Sequence, residues 1–272
     1  MLSAISRACL LTVCLAAAAC AADWPQFRGP GGLGTSQDTG LPTTWSDDSN
    51  IVWKTDLPGF GTSSPITHQG RIYLTCYGGY GTNAEQPGEM DDLARYVVCL
   101  DRKQGEILWK QKVQTLLPEQ QYQGFQSLHG YASSTPATDG ERLYVFFGKS
   151  GVFAFDLEGK QLWQADVGSK IHNWGSATSP VLFQNLVIVN ASVESGALVA
   201  LDKNTGREVW RTPGMIAAWN SPLLVDLPGG RVDLVMSVKG RLLGFDPATG
   251  EQRWHSKGIE DYVCPSVIAH DG

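Results

Sequence analysis

Aromatic and histidine side chains recur in the loops that precede five proline-marked strands, and rings of this kind bind ligands. The residues are Phe60, His129, Tyr131, His172, Trp174, Trp219 and Tyr262. Flat rings stack on flat ligands, and a few polar groups beside them orient what is bound. The same rings also pack against one another in protein cores, and loop histidines commonly serve structural hydrogen bonds. The set therefore predicts either a ligand funnel or aromatic packing, provided that the fold brings these loops together.

Other motifs that carry chemistry are weak or missing. Gly148-Lys149-Ser150 resembles the end of a phosphate-binding loop, but Leu143 occupies the position of the required first glycine. Asp226 and Asp233 have no acidic residues between them, which argues against a calcium loop. No His-Glu-x-x-His, Gly-x-Ser-x-Gly or Cys-x-x-Cys-His sequence occurs. We therefore predict no catalytic and no metal-ligating residue.

A repeat in the sequence predicts the strands that position these rings. Four segments share an aspartate, a turn that ends in glycine, and a tryptophan four residues after the glycine. They contain Asp101, Gly105 and Trp109; Asp156, Gly159 and Trp163; Asp202, Gly206 and Trp210; and Asp246, Gly250 and Trp254. The prolines Pro136, Pro180, Pro222 and Pro265 follow one another at intervals of 44, 42 and 43 residues. A period of about 40–45 residues built from short strands is typical of a β-propeller blade.

The repeat predicts an all-β chain of about 17 antiparallel strands in four-stranded blades, with the four repeat tryptophans on equivalent outer strands. The predicted propeller covers residues 51–272 and follows an extension at residues 23–50. Its blades lie at about 61–113, 132–168, 175–212 and 218–257, and residues 262–272 begin the next. Because first strands line the channel of a propeller, the loops before them (the axial loops) should meet at one end of the axis. Four blades and a start do not close a ring. We therefore expect a fragment of a seven- or eight-bladed protein, or completion by another copy.

One repeat resembles a known family in detail. Ala200-Leu-Asp202-Lys-Asn-Thr205-Gly206-Arg-Glu-Val-Trp210 is similar, position for position, to the tryptophan-docking motif of pyrroloquinoline-quinone-type (PQQ-like) propeller repeats. The other copies match less fully. Cys99 and Gln104 replace the alanine and threonine in the first copy, and Gly244 replaces the alanine in the last. The segment Asp23–Pro30 resembles the start of secreted, uncharacterised members of this group, which is also similar to the propeller lipoprotein that helps assemble outer-membrane proteins.

The resemblance implies a propeller and leaves the activity open, because one fold hosts many functions. We expect a non-catalytic binding or assembly scaffold whose partner is a protein or small ligand at the propeller axis, with no cofactor. One alternative is a dehydrogenase that uses pyrroloquinoline quinone with calcium and acts on alcohols; a second is an outer-membrane protein assembly factor. Quinoprotein alcohol dehydrogenases place two adjacent cysteines near the quinone and hold calcium with glutamate and asparagine. This chain has no adjacent cysteines, and no such ligand set maps onto it.

Charge and the N-terminus indicate where the chain works. Residues 1–22 carry Arg7 and then an apolar stretch, as a secretory signal does, so we expect cleavage after Ala22 and a periplasmic or secreted protein. Cys20 offers the alternative of a lipid anchor. The apolar stretch is too short for a transmembrane helix. The formal net charge is −6, and removal of Arg7 with the signal makes it −7. This acidity, without a basic run, argues against a nucleic-acid partner.

Three cysteines lie outside the signal, at Cys76, Cys99 and Cys264. Cys76 closes the second predicted strand of the first blade and Cys99 lies in the third, so the two lie on neighbouring strands. Two alternatives stay open, a disulfide formed in an oxidising compartment and a pair of buried thiols that act as small apolar residues.

Overall fold

A computed structural model describes residues 22–216 and 218–270, and the predicted signal segment, with Cys20, lies outside them. The described residues form sixteen strands in four sheets. The first sheet contains β1 (Ile66–His68), β2 (Arg71–Gly78), β3 (Ala94–Asp101) and β4 (Ile107–Val113). The second contains β5 (Ala137–Thr138), β6 (Arg142–Phe146), β7 (Val152–Asp156) and β8 (Gln161–Ala165). The third contains β9 (Val181–Phe183), β10 (Leu186–Ala191), β11 (Ala197–Asp202) and β12 (Glu208–Pro213). The fourth contains β13 (Leu223–Leu227), β14 (Arg231–Val238), β15 (Arg241–Phe245) and β16 (Gln252–Lys257).

Helical structure among the described residues is limited to single turns. They are one α-helical turn, α1 (Gln126–His129), and three 3₁₀ turns at Pro30–Gly32, Met90–Asp92 and Gly148–Ser150. None of the described helices has the length and apolar character needed to cross a membrane.

In each sheet the strands pair with their neighbours in chain order, and all pairs are antiparallel. This is the blade topology that the repeat predicts, so the all-β prediction of a partial propeller is confirmed. The repeat tryptophans all lie on fourth strands, as expected, in β4, β8, β12 and β16. The described strands number sixteen rather than about seventeen because the fifth repeat contributes only a bridge between Val263 and Ala218.

The core lies between neighbouring sheets. All six residues of β10 are buried, and Val187 and Val189 pack in one cluster with Tyr144 and Phe146 of the second sheet. Apolar runs rich in β-branched residues are expected where a strand is covered on both faces. The second and third sheets therefore share one core.

Three of the repeat tryptophans connect successive sheets through the same type of contact. The indole Nε1 of Trp109 donates to Leu157 O at 3.0 Å, that of Trp163 to Lys203 O at 2.9 Å, and that of Trp210 to Pro247 O at 3.2 Å. Each acceptor lies in the glycine turn of the next sheet. A β-carbon on Gly206, for example, would lie 2.6 Å from the Trp163 ring, so a side chain there would displace the indole. Trp254 differs, since its Nε1 donates to Asp233 of its own sheet at 2.7 Å.

The repeated aspartates shape the same turns. The Asp202 carboxylate accepts the backbone N–H groups of Asn204 at 3.0 Å and Thr205 at 2.9 Å, and Gly206 takes a φ of 70°. Hydrogen bonds to the charged carboxylate, led by the Thr205 hydroxyl, lower the pKa of Asp202. Aspartate and glycine are therefore needed together, the first as an acceptor and the second for a left-handed conformation.

The hydroxyl residues beside the prolines form a chain of hydrogen bonds across the first strands. The N–H of Thr135 donates to Ser179 Oγ at 3.0 Å, that of Ser179 to Ser221 Oγ at 2.8 Å, and that of Ser221 to Ser266 Oγ at 3.1 Å. Ser64 N donates to Thr135 Oγ1 at 3.0 Å, which extends the chain to the first sheet. The serine-rich start of each repeat thus fixes the spacing of the inner strands.

The structure does not support the disulfide alternative for Cys76 and Cys99. Both are buried free thiols. In the register of β2 with β3, Cys76 faces Tyr96 and Cys99 faces Tyr73, so three residue pairs separate the two cysteines. An odd separation places the side chains on opposite faces of the sheet, at about 10 Å along the strands. Cys99 accordingly packs in the core cluster with Tyr73, and Cys76 packs on the other face with Val98.

Candidate ligand-binding site

Four of the seven predicted funnel residues form one aromatic cluster at the axial loops. The Trp174 ring centroid lies 4.9 Å from that of Trp219 and 4.8 Å from that of Tyr262. His172 lies 4.8 Å from Trp219, and Trp219 lies 5.4 Å from Tyr262. The rings are mostly edge to face, the arrangement that aromatic pairs favour. They come from the third, fourth and fifth repeats.

Backbone hydrogen bonds hold this cluster in place. Trp219 N donates to Val263 O at 2.7 Å, which brings the neighbouring Tyr262 beside the indole. The indole Nε1 of Trp219 donates to Gly175 O at 2.9 Å and so reaches the preceding axial loop. Trp174 N donates to His172 Nδ1 at 3.1 Å within a tight turn. The rings are therefore fixed by the loop backbone before any ligand binds.

His129 links the second axial loop to this cluster and is not a free base. Its Nε2 lies 2.7 Å from the Trp174 carbonyl and its Nδ1 lies 2.6 Å from Ser133 Oγ. Since a carbonyl only accepts, Nε2 carries the proton and Nδ1 accepts from the hydroxyl. Burial lowers the pKa of His129 below its ordinary value, so the neutral ring is favoured. Burial also lowers the pKa of His172.

The remaining two predicted funnel residues lie elsewhere. Tyr131 is buried against Tyr77, with 5.3 Å between ring centroids, and its hydroxyl donates to Gln120 O at 2.6 Å. Phe60 pairs through its backbone with Tyr77 and leaves 58% of its surface exposed. Tyr131 packs against tyrosines of β2 and of the long insertions, and so it does not join the axial cluster.

Two cavities flank the cluster. One, of about 300 Å³, lies between the third and fourth axial loops and is lined by Lys170, Ile216, Trp219 and Tyr262. The other, of about 410 Å³, is lined by Phe125, His129, Trp174 and Trp219, among others. Phe125 packs against Trp174 with 4.5 Å between the ring centroids and a tilt of 50° between the rings, and sequence reasoning did not include it in the funnel. Volumes of 300–1,000 Å³ are typical of small-molecule sites.

A buried carboxylate that the sequence analysis did not single out is the most unusual group near this face. Glu194 is buried, and neither of its carboxylate oxygens has a hydrogen-bond partner among the described residues. Burial raises its pKa to about 7; the nearby Glu119 adds to the shift, and Ser176 and Arg95 oppose it. It borders a polar cavity of about 30 Å³, room for about two water molecules. The sequence signal for this residue was an acidic side chain three positions after the apolar strand β10.

Arg95 provides the main positive charge at that cavity, and it is already paired. Its guanidinium donates to Glu119 at 2.7 Å, to Ser150 Oγ at 2.9 Å and to Tyr131 O at 2.8 Å. Both partners of the Arg95–Glu119 ion pair are almost completely buried. This ion pair connects β3 to the loop that carries Glu119.

The described residues do not fit a quinone–calcium site. Among residues 22–216 and 218–270, no three His, Cys, Asp or Glu side chains are grouped so that they could hold a metal ion. Calcium takes six to eight oxygen ligands, whereas Glu194 is a single uncommitted carboxylate. The amides of Asn190 and Asn220 are already hydrogen-bonded on both sides. Trp174 and Trp219 contact each other, so no slot for a flat cofactor opens between them.

Comparison with known proteins gives two kinds of relative. The family model described as "Outer membrane protein assembly factor BamB" matches residues 93–261. The BamB of Burkholderia pseudomallei is 25% identical over 169 residues, which are 58% of this chain and 36% of that protein. A quinoprotein ethanol dehydrogenase of Pseudomonas aeruginosa is 29% identical over 161 residues, 52% of this chain and 25% of the relative. The match thus spans about a third or less of these relatives' own length.

Solved structures show the same architecture. The quinohemoprotein alcohol dehydrogenase of Comamonas testosteroni superposes with a TM-score of 0.60 at 15% sequence identity. The superposition covers 88% of this chain and 42% of the dehydrogenase. The superposition establishes the propeller fold, but at an identity this low it leaves the activity undecided.

Proposed function

Because the chain belongs to the PQQ-like propeller family whose model is described as outer membrane protein assembly factor BamB, we propose that it is a non-catalytic binding scaffold. The relatives include an assembly factor and a dehydrogenase, so the family alone does not choose between them. The proposed scaffold is exported by its N-terminal signal and uses the end of the axis where the axial loops meet.

Exposed apolar side chains on the axial loops are the observation that carries this proposal. Ile171, Ile216 and Ile259 recur at intervals of 45 and 43 residues and are 44%, 63% and 53% exposed. Leu128 of α1 is 74% exposed on the preceding axial loop. We call these four residues the apolar rim. Exposed apolar side chains that recur on the loops of one face are typical of interaction surfaces, and the partner we propose is a protein.

If the apolar rim binds a protein partner, Asp substitutions in the rim should abolish that binding. We expect wild-type chain to retain a protein from an extract of the source cells, and the variant Leu128→Asp with Ile216→Asp and Ile259→Asp to lose it at least tenfold, since a buried unpaired charge opposes docking. Quantitative mass spectrometry of the retained proteins measures this.

A matched control keeps the number of charges and changes their place. Ile107→Asp with Leu162→Asp and Val209→Asp charges residues that are 40%, 41% and 49% exposed on the fourth strands. This variant should retain the partner as wild type does. Equal retention by both variants, or equal loss, would refute a docking role for the rim.

The dehydrogenase alternative leads to a second prediction. Mixed with pyrroloquinoline quinone and calcium, the chain should show neither micromolar binding by calorimetry nor dye-linked alcohol oxidation. The physical reason is that, within the part of the chain that the structure describes, no three His, Cys, Asp or Glu side chains are grouped as calcium ligands would be.

Trp219→Ala supplies the decisive comparison, because Trp219 is the ring at the centre of the aromatic cluster. Tight, calcium-dependent quinone binding that disappears in Trp219→Ala would overturn the scaffold proposal in favour of a dehydrogenase.

A further inference from the structure

The N-terminal extension contacts the first strands of several sheets. We call residues Asp23–Gly32 the N-terminal strap. Trp24 pairs with Thr67 near the end of β1, with N–H to O distances of 3.0 and 2.9 Å. Pro25 O accepts Thr138 N at 2.9 Å at the end of β5. Gly32 lies against Leu223 at the start of β13, where a β-carbon would come within 2.8 Å of the leucine. The strap therefore joins the first strands of three sheets.

The strap has a fixed shape of its own. Trp24 covers Gly29, where a β-carbon would lie 2.6 Å from the indole, and Gly29 has a φ of 71°. Arg28 takes a φ of 61°, and its guanidinium lies 3.4 Å from the carbonyls of Ser266 and Val267. Trp24 and Arg28 are both held in this way, so the side chain that lies between them in the chain has a fixed position.

That side chain is Phe27, and it lines the cavity beside the aromatic cluster. The cavity has a volume of about 410 Å³. Phe125, His129, Trp174 and Trp219 of the axial loops line it together with Phe27 of the strap. The axial loops precede β1 and β5, whereas the strap contacts residues within β1 and at the end of β5. We therefore call Phe27, which lines the cavity from the strap, its floor.

The polar groups of this cavity are few, and most are already used. None of its lining residues in the described part of the chain is Asp, Glu, Lys or Arg. Ser221 Oγ accepts Ser179 N, and Ser266 Oγ accepts Ser221 N, as part of the hydroxyl chain between the inner strands. Both ring nitrogens of His129 are also engaged.

The nearest cation to the cavity is Arg28, whose guanidinium lies 5.4 Å from the centre of the Phe27 ring. It does not line the cavity and is directed to the carbonyls of Ser266 and Val267. A charged ligand would therefore find no free counter-charge in the lining, and burial of an unpaired charge is strongly unfavourable.

We propose that this cavity binds a flat, uncharged aromatic molecule between the axial rings and Phe27, with the N-terminal strap as its floor. The inference rests on the proposed binding function and names a ligand class for the same end of the axis. Two to three fused or linked rings match the volume. The absence of counter-charge among the lining residues selects against carboxylated and sulfonated ligands.

A matched pair of fluorescent probes tests both shape and charge. N-phenylnaphthylamine is uncharged, and anilinonaphthalene sulfonate adds one sulfonate to the same rings. We expect one molecule of N-phenylnaphthylamine to bind per chain in a saturable titration. The sulfonate should bind at least tenfold more weakly, and tryptophan emission should be quenched as the uncharged probe binds.

Three single variants locate the probe. Ala177→Phe places a ring in the cavity and should weaken binding at least tenfold, while Phe27→Ala removes the floor and should weaken it about tenfold. Phe60→Ala removes a phenylalanine that does not line the cavity and should leave binding within twofold of wild type. Thermal melts of all three establish that each variant is folded.

Several outcomes would overturn the proposal. They are no saturable binding of N-phenylnaphthylamine, equal binding of the sulfonate, and unchanged binding in both Ala177→Phe and Phe27→Ala. A chain that retains its protein partner through the rim but fails these tests disproves the small-molecule site alone. A chain that binds the probe but has no rim-dependent partner disproves the docking proposal alone.

Discussion

Replacing Trp210 with alanine should lower the free energy of unfolding by about 3–5 kcal/mol. The indole is only 8% exposed, packs in the core cluster between the third and fourth sheets, and donates to Pro247 O at 3.2 Å. A β-carbon on Gly250 would lie 2.5 Å from the ring, so the indole fills the space directly above the next turn. Its loss leaves a cavity and an unpaired carbonyl between two sheets. Urea unfolding, with the midpoint and slope determined separately, measures the effect.

Trp45→Ala is the matched control, because the same truncation is made where 68% of the side chain is exposed. A loss below about 1 kcal/mol is expected there. A similarly small loss for Trp210→Ala would mean that the indole does not hold the third and fourth sheets together. The repeat tryptophans would then be a feature of the sequence without a structural role.

Much of the fold follows from the sequence because its signals are local. Asp202 and Gly206 fix a turn by themselves, and Trp210 stands at a set distance from them along one strand. The same local reading left a disulfide and two buried thiols as alternatives for Cys76 and Cys99, and the structure shows buried thiols. Neighbouring strands were predicted correctly, but the register that places the two thiols on opposite faces depends on the whole β2–β3 hairpin.

The candidate site was predictable only where repeats are regular. His172, Trp174, Trp219 and Tyr262 come from short axial loops with similar lengths, and the structure brings them together. Tyr131 follows a long insertion, and tyrosines from that insertion and from β2 bury it instead. Contacts between residues that are far apart in the chain leave no signal in the local sequence.

Phe27 illustrates that limit. It is separated from Trp219 by almost the whole described chain, yet the two line one cavity. The strap that carries it has no repeat and no strand of its own, and backbone contacts with β1 and β5 position it. Only the folded arrangement shows that the N-terminal extension belongs to the site.

Replacing Glu194 with glutamine should stabilise the chain by about 3 kcal/mol at pH 8 and have little effect below pH 4.5. The carboxyl titrates near 4.5 in an unfolded chain and at about 7 in the folded one, mainly because of burial. Between these values the folded state binds the proton more tightly, so the free energy of unfolding falls as the pH rises from 4.5 to 7 and is constant above. A difference of this size corresponds to about 3 kcal/mol. Glutamine removes the charge and keeps the shape.

Urea unfolding of both proteins at pH 5 and pH 8 provides the measurement, and Glu85→Gln, on an exposed loop, provides the control with no expected change. A stability difference that is the same at both pH values would contradict the raised pKa. A glutamine variant that is less stable than wild type at pH 8 would be more informative. It would mean that the folded state stabilises the ionised carboxylate, either through the nearby Ser176 and Arg95 or through a bound cation. In the second case Glu194, rather than the aromatic cluster, would become the first group to examine for a metal-dependent function.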